Sequence, residues 1–551
     1  MPLGDFLVAY LRKIGVTHLF GLPGDLVLRL FLRFGQRQGL KIVTLSHEPS
    51  VGFAVDGYAR ATGRIGVACV TYGAGGHNMV NPVAASFSER VPVLVISGGP
   101  GEGERKYGTL IHHQAKEIES QLRIFQEVTC AAELLDEPRT AAERIDGVVR
   151  EIWRTQQPGY LEIHRDMVER RVPVPRHILE WDGALSFARS DERRVDEAVR
   201  DTRARWDAAR HPVTVVGIET HRFKLQREVR ILAERLGAPV VTTMLSKGAF
   251  PMDHPLFMGV HIGQISPPPM AARVAEADVA LNLGTLLTDM DSMARKPQLA
   301  RERSIWAVEG RVHISLHTYD SVEIRDFVRG LLRARLRKHR EAVTYCDNLP
   351  PPTHRMDRAI KVVDVLHEVN RFLRDRRGYG VVAESGDMLF AGLDVRVGHG
   401  GPYYAQAFYA SMGFGVPGAM GIQLGTGVRP IALVGDGAFQ MTGPEIAHAR
   451  RLGLNPIIVL MNNGGWQIFR PVVPQPKLLE LPNWPYAELA QAWGGHGFRV
   501  RTPGEFRAAL ADAARLDEFT IIEAQLSPDD LSPVARKYIH ASARRGRTAA
   551  G

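Results

Sequence analysis

A chain of 551 residues, 45% apolar and 23% charged, is too long for one hydrophobic core and too apolar for disorder; at roughly 150–200 residues per domain it should hold three. The net charge of +9 is spread among interspersed acids and bases, with Arg337 to Arg340 and Ala543 to Arg547 as the densest basic groups. This excludes a nucleic-acid-binding tail and leaves a modest field that attracts anionic substrates. Cys69, Cys130 and Cys346 are too few and too far apart for a disulfide scaffold or a zinc site. No run of about 18 uncharged apolar residues offers a membrane span, and Met1 to Arg12 lacks the apolar core of a signal peptide, so a soluble protein of the cytoplasm is expected.

The first predicted helix covers Leu3 to Lys13. A strand from Val16 to Phe20 follows, then the turn Gly21-Leu22-Pro23-Gly24-Asp25 and another helix. The next strand, Lys41 to Leu45, leads through Glu48 to a helical pattern over Val51 to Ala61, where a carboxyl also serves as a favourable charge at a helix start. Strands at Gly66 to Tyr72 and Val91 to Ser97 continue the alternation, with Cys69 expected as a small buried thiol. Beyond them, Leu110-Ile111-His112-His113-Gln114 holds adjacent histidines, which cannot share one helical face; a single metal site is therefore not their obvious use. Arg171 to Pro175 closes a first unit, 1–180.

A middle unit, 181–350, has strands His211 to Gly217, Pro239 to Thr243 and Val279 to Gly284, with a helix over Leu225 to Leu236. It lacks a full Gly-x-Gly-x-x-Gly turn, so no FAD or NAD is expected. Asp289, just past its third strand, reads equally well as a helix N-cap. After a long basic helix, Asn348-Leu349-Pro350-Pro351-Pro352 breaks the pattern. The last unit, 351–551, carries strands Gly380 to Glu384, Arg429 to Val434, Asn455 to Met461 and Phe519 to Glu523. All these strands are short and apolar on both faces, as parallel sheets require; the expected class is α/β, three open parallel-sheet domains with flanking helices.

The most informative stretch runs from Gly435-Asp436-Gly437 to Asn462-Asn463. Each end lies just past an apolar strand, so both should emerge at neighbouring carboxyl ends of one sheet. Asp436 and Asn463 offer hard oxygen donors suited to Mg²⁺ that bridges a diphosphate, and the glycines let the backbone come close.

This stretch resembles the thiamin diphosphate signature, and nearly the whole chain is similar to the thiamin diphosphate-dependent 2-oxo acid decarboxylases, closest in its motifs to the phenylpyruvate and indolepyruvate branch. The resemblance implies a pyrimidine-binding first domain and a diphosphate-binding last domain. It also implies cofactor sites at the interface of a homodimer, usually doubled to a tetramer. It assigns Asp436, the Asn463 side chain and the Gly465 carbonyl to Mg²⁺, with Gly435, Gly437 and Ala438 beside the diphosphate. Glu48 matches the glutamate that hydrogen-bonds the aminopyrimidine nitrogen N1′. Met412 matches the apolar residue under the bent cofactor, and Ala410 a backbone carbonyl for N4′. Glu384, Ser385 and Asp387 match a loop approaching the cofactor. Asp25, His112 and His113 match the groups that surround the substrate carboxylate and deliver protons after carbon dioxide leaves. Ser246 to Pro251 resembles an interface loop of the family.

One position departs from the pattern. Six residues past Asn463, where many pyruvate-decarboxylating members carry a catalytic glutamate, stands Phe469, preceded by Trp466 and Gln467. Aromatic surface suits a phenyl or indolyl side chain, and Asp289 resembles an acid of the phenylpyruvate-decarboxylating branch. The terminal segment through Ile539, with Leu531, Val534 and Tyr538 on one side, resembles a closing helix, and the chain after Ser542 is expected to be mobile. The leading expectation is decarboxylation of phenylpyruvate or indole-3-pyruvate to the aldehyde. Carboligation of the acetolactate synthase type, and a cofactor-binding protein without catalysis, are the alternatives.

Overall fold

The computed structural model describes residues 1–36, 40–292 and 301–548. They build three sheets in two compact units. Met1–Phe187, Val416–Val428 and Thr442–Leu454 form one unit; Ala188–Gly415, Arg429–Met441 and Asn455–Gly551 form the other.

In the first unit, β1 (His18–Gly21), β2 (Lys41–Thr44), β3 (Gly66–Val70), β4 (Val93–Gly99), β5 (Ala131–Leu135) and β6 (Gly159–His164) lie in the order β2-β1-β3-β4-β6-β5. Every pairing is parallel. β3, β4 and β6 are buried along their whole length, which is why β3 and the start of β4 show continuous apolar runs rather than alternation. Helix α1 (Leu3–Lys13) buries Leu3, Phe6, Leu7, Tyr10 and Leu11 and places Asp5 in its first turn and Arg12 and Lys13 in its last, matching the helix dipole.

α2 spans Leu28–Gln36. α3 runs Glu48–Thr62 and is buried without interruption from Ser50 to Arg60. It packs so closely on the helix Gly415–Thr426 that a Cβ at Gly57 would lie 2.4 Å from the Gly418 carbonyl, and one at Gly421 1.9 Å from the Ala54 carbonyl. Within this interior Arg60 is neutralised by Asp56 and Glu89, each at 2.8 Å, and Ser86 donates to Asp56 at 2.8 Å, so no buried charge is left alone.

The second unit carries two sheets. In the first, β7 (Pro212–Val216), β8 (Val240–Thr242), β9 (Phe257–Val260), β10 (Val279–Leu283) and β11 (Ser304–Val308) are parallel. β12 (Arg311–Ile314) and β13 (His317–Asp320) then add an antiparallel edge, a departure from the purely parallel sheet expected for the middle region. Tight turns at Glu309-Gly310 and Ser315, all at positive φ, make this hairpin edge possible without a crossover helix. The expected long basic helix is also shorter than predicted: it spans Ile324–Arg333, and Arg335 to Arg340 lie outside it.

In the last sheet, β14 (Tyr379–Ala383), β15 (Tyr403–Ala405), β16 (Arg429–Gly435), β17 (Ile457–Asn462), β18 (His496–Val500) and β19 (Thr520–Gln525) follow the order β15-β14-β16-β17-β19-β18. Numbered from its own start, this is the strand order of the first sheet, again wholly parallel. In both sheets the order reverses direction beside the first strand, leaving a crevice at the carboxyl ends where open α/β sheets bind ligands. Helix Pro533–Thr548 ends the described chain. The stretch after Ser542, expected to be mobile, continues that helix to Thr548, and residues 549–551 lie outside the described part.

Candidate active site

At the carboxyl end of β1 the chain turns sharply. A Cβ at Gly24 would sit 2.5 Å from the Thr71 side chain beyond β3, so only glycine brings the turn this close, and the Thr71 hydroxyl then donates to Asp25 Oδ1 at 3.3 Å. His112 Nε2 is hydrogen-bonded to the other Asp25 oxygen. His113 Nε2 lies 4.0 Å from Asp25 Oδ1, and the two imidazole centroids are 4.8 Å apart. The residues sit in a turn rather than a helix. His113 takes φ +68°, and its carbonyl would lie 1.9 Å from a Cβ at Gly73. That combination swings both rings toward one carboxylate. Partial burial works to raise the Asp25 pKa, but hydrogen bonding and charge from His112, the Leu26 N–H and His113 outweigh it and hold the carboxyl below its usual range. A cavity of about 390 Å³ opens beside it, lined by Asp25, Leu26, Arg29, Glu104, Arg165 and Asp166.

Glu48 is the first residue of α3 rather than a residue preceding the helix. Its Oε2 accepts a hydrogen bond from Asn78 Nδ2 at 3.1 Å, and the missing side chain of Gly75, whose Cβ would lie 3.2 Å from Oε1, leaves the second oxygen clear. Asn78 carried no motif, and sequence reasoning missed it.

In the second unit the turn after β14 begins with Glu384, which is fully buried. It accepts backbone N–H bonds from Ser385 at 2.7 Å, Gly413 at 3.2 Å and Gly415 at 2.6 Å. Burial pushes its carboxyl up to about 7, against the pull of those amides. Ser385 Oγ donates to the Ala410 carbonyl at 2.7 Å. Ala410 and Gly413 both take positive φ, and between them Met412 stands 37% exposed. Glu384 and Ser385 therefore hold the Ala410–Gly413 loop. Asp387 is occupied differently: it accepts the Ser532 N–H at 3.0 Å and the Ser532 hydroxyl, while Ser532 Oγ caps the last helix through Ala535 N–H at 3.2 Å. Burial lifts Asp387 to about 6.

At the ends of β16 and β17 the structure brings Asp436 and the Asn463–Gly465 turn together. Burial lifts the Asp436 carboxyl to about 6, although the Gly437, Gly464 and Gly465 N–H groups all pull it down; Oδ1 accepts from Gly437 at 2.9 Å. Asn463 Oδ1 is buried with no hydrogen-bond partner among the described residues. Cβ atoms built on Gly435 or Gly464 would meet nothing within 4 Å, so this cradle keeps open space beside backbone. Ala438 continues the short helix Asp436–Thr442 and is buried. A buried carboxylate with no ion-pair partner among the described residues, an orphaned carbonyl oxygen and two bare glycines fit a hard cation with an anionic ligand. Asn462 is committed elsewhere, to Glu523 at 2.8 Å and Asn483 at 2.9 Å.

Of the residues expected around a substrate, the Trp466 ring packs on Gly437, where a Cβ would come within 2.3 Å of it. Gln467 is buried and reaches back to the Gly464 carbonyl at 3.3 Å. Phe469 is 54% exposed. Tyr538 meets Met290 Sδ at 3.4 Å and the Phe390 ring at 4.7 Å between centroids, which puts it beside the segment carrying Asp289. That aspartate is exposed and is not the cap: Thr288 Oγ1 accepts from Asp291 N–H at 3.3 Å while Asp291 Oδ2 accepts from Thr288 N–H at 3.1 Å. The buried acid here is Asp291, raised by burial to about 6. Leu531 and Val534 are buried, so the terminal helix is docked. In the Ser246 to Pro251 loop, Lys247 is buried and donates to the Leu393 and Val395 carbonyls at 2.6 and 2.7 Å.

Three family models match the chain. They are described as thiamine pyrophosphate enzyme, N-terminal TPP binding domain over residues 1–124, central domain over 200–333, and C-terminal TPP binding domain over 387–524. The chain belongs to the thiamine pyrophosphate enzymes. It is 36% identical to an indole-3-pyruvate decarboxylase of Azospirillum brasilense, with 99% of each chain covered. It is also 29% identical to pyruvate decarboxylase 1 of Oryza sativa subsp. indica, covering 96% of this chain and 89% of that one, and 29% identical to pyruvate decarboxylase 1 of Pisum sativum, covering 96% and 91%. Within the family it is a thiamine pyrophosphate-dependent 2-oxo acid decarboxylase. Among the described residues no helix is long and apolar enough to cross a membrane.

Proposed function

We propose that this decarboxylase acts on aromatic 2-oxo acids, phenylpyruvate or indole-3-pyruvate, releasing carbon dioxide and the aldehyde, with Mg²⁺ beside thiamin diphosphate. The observation that carries decarboxylation over carboligation is the Asp25–His112–His113 cluster. Proton donors gathered at one carboxylate favour protonating the product over waiting for a second carbonyl compound. Aromatic preference is supported by the exposed Phe469 and by the likeness to the Azospirillum brasilense protein.

Asp436 and the Asn463 carbonyl would hold Mg²⁺, with the Gly465 carbonyl beside them, and the open faces of Gly435 and Gly464 would admit the diphosphate. Thiamin diphosphate, when bound, supplies the nucleophilic carbon and the electron sink that decarboxylation needs. Glu48, steadied by Asn78, would hold at its carboxyl the proton that the aminopyrimidine nitrogen requires. Glu384 and Ser385 hold the loop that presents Met412 as an apolar support. Asp25, His112 and His113 orient the substrate carboxylate and move a proton to the carbon it leaves. The assembly in this reading is a homodimer with shared sites, doubled to a tetramer, in the cytoplasm.

The test is product analysis with phenylpyruvate, indole-3-pyruvate and pyruvate at saturating cofactor. Equal amounts of carbon dioxide and aldehyde, with the aromatic acids preferred in kcat/KM, are expected. A ligated 2-hydroxy ketone as the main product, with or without added aldehyde, would reverse the assignment.

A further inference from the structure

Asp25, His112 and His113 do more than share a turn. One ligand atom from each, two imidazole nitrogens and a carboxylate oxygen, lie within 4.8 Å of one another. Adjacent histidines on a helix diverge; here the positive φ of His113 brings both rings to one side. Two nitrogens and an oxygen around one point suit borderline divalent cations such as Zn²⁺ or Co²⁺, whereas Mg²⁺ prefers oxygen alone. All three side chains are partly exposed, between 36% and 55%, so they can close by the ångström or so needed for metal–ligand bonds of about 2.0–2.2 Å without disturbing a packed core. The Thr71 hydroxyl already bonds the Asp25 carboxylate, and such outer hydrogen bonds fix metal ligands in orientation.

We propose that Asp25, His112 and His113 form a binding site for a Zn²⁺-class cation, sharing no residue with the Asp436–Asn463 set, and that filling it stops proton delivery by these side chains. The metal replaces the proton held between His112 and Asp25 and leaves its remaining positions to water. Inhibition rests on the catalytic role proposed above; binding does not.

The experiment uses the holoenzyme saturated with thiamin diphosphate and Mg²⁺, titrated with Co²⁺ as an absorbing probe and then with Zn²⁺ as competitor. One equivalent per chain with the spectrum of mixed nitrogen and oxygen ligation is expected in the wild type, displaced by Zn²⁺. The double variant His112→Asn, His113→Asn should lose that equivalent, a larger effect than the ~10–100-fold weakening typical of outer-shell changes, while Asp436→Asn keeps it. An all-oxygen Co²⁺ spectrum in the wild type, unchanged binding in the double variant, or loss of the equivalent in Asp436→Asn would overturn the site. Zn²⁺ should block aldehyde formation over the range that fills the site, without relief by excess Mg²⁺. Binding with undiminished turnover would overturn the inhibitory half and the catalytic role of the cluster, leaving the metal site standing; absence of turnover in the holoenzyme before any Co²⁺ or Zn²⁺ is added would instead count against the proposed substrates alone.

Discussion

Asp25 and Asp436 are both carboxylates at turns that follow parallel strands, yet their surroundings push them in opposite directions. Asp25 is half exposed and meets two imidazoles, a hydroxyl and one backbone amide, and its pKa lies below the usual range. Asp436 is buried among backbone amides and its pKa rises to about 6. The first meets its side-chain partners within the fold; the second faces open space beside Gly435 and Gly464, next to an Asn463 oxygen with no hydrogen-bond partner among the described residues. A site of the first kind tunes protons by side-chain charge, and one of the second kind is completed by its ligand.

The widest separation between the two kinds of site should come from Glu48→Gln. The amide keeps size and hydrogen bonding with Asn78 but cannot exchange a proton as a carboxyl does, so cofactor binding should persist while exchange of the thiazolium C2 proton slows by about 10²–10⁴-fold, the range of general acid–base catalysis. Wild-type exchange measured by quenched-flow NMR at saturating cofactor would remove Glu48 from activation. Asp436→Ala should do the reverse, weakening Mg²⁺-dependent cofactor binding, measured by tryptophan fluorescence, with little effect on folding; unchanged affinity would mean that the cradle is not the cation site.

Acidity sharpens the contrast further. Because the folded-state pKa of Asp436 is raised, the empty protein binds more protons than the unfolded chain between the usual carboxylate range and about 6, so this residue's contribution to stability falls as pH rises through that window. Loading runs the other way, since the cation needs the ionised form: the Mg²⁺ concentration for half-saturation should rise about tenfold per pH unit below about 6. A flat profile in calorimetry would break the proposed link. Glu384→Gln should cost roughly 1–3 kcal/mol, because one amide face must meet backbone N–H groups that now bond to carboxylate oxygens. Chemical denaturation checks this, and a neutral outcome would free the Ala410–Gly413 loop from its assigned support. Smallest of all, Phe469→Leu should shift the ratio of kcat/KM for phenylpyruvate over pyruvate by about 1 kcal/mol, the lower end of the range for one methylene in an apolar pocket; an unchanged ratio would take Phe469 out of the pocket.

Much of this was legible because the chemistry sits where apolar runs stop. The strands leading to Asp25, Glu384, Asp436 and Asn463 are short, largely buried runs, the one leading to Glu48 is a partly exposed edge, and each ends within a residue or two of its predicted limit. Several of the strands that were missed lack that signal: β5 and β18 are half-exposed edges, β15 has three residues, β6 carries Glu162 and His164 inside its buried run, and β12 and β13 form a partly exposed hairpin, whereas β9 and β11 are buried apolar runs that were missed all the same. Glu162 is tolerated there because Tyr160 on the same strand and Gln121, 41 residues earlier, bond its carboxylate, and the second contact is one that no local pattern encodes. The histidine cluster was legible as residues but not as geometry, since its convergence depends on one left-handed backbone position at His113. Asp387 shows the same limit, since its partner Ser532 is distant in sequence, and so in part does Asp291, which joins the local Thr288 to the distant Met244 N–H.

The Asp387–Ser532 contact makes the far end of the polypeptide sensitive to trimming. Ser532 starts the final helix and, through the same hydroxyl and its own amide, satisfies the acid that follows β14. A protease that nicks the chain ahead of Ser532 would release the helix and at once leave Asp387 without its two Ser532 donors, so such a cut would be felt at a turn 145 residues away.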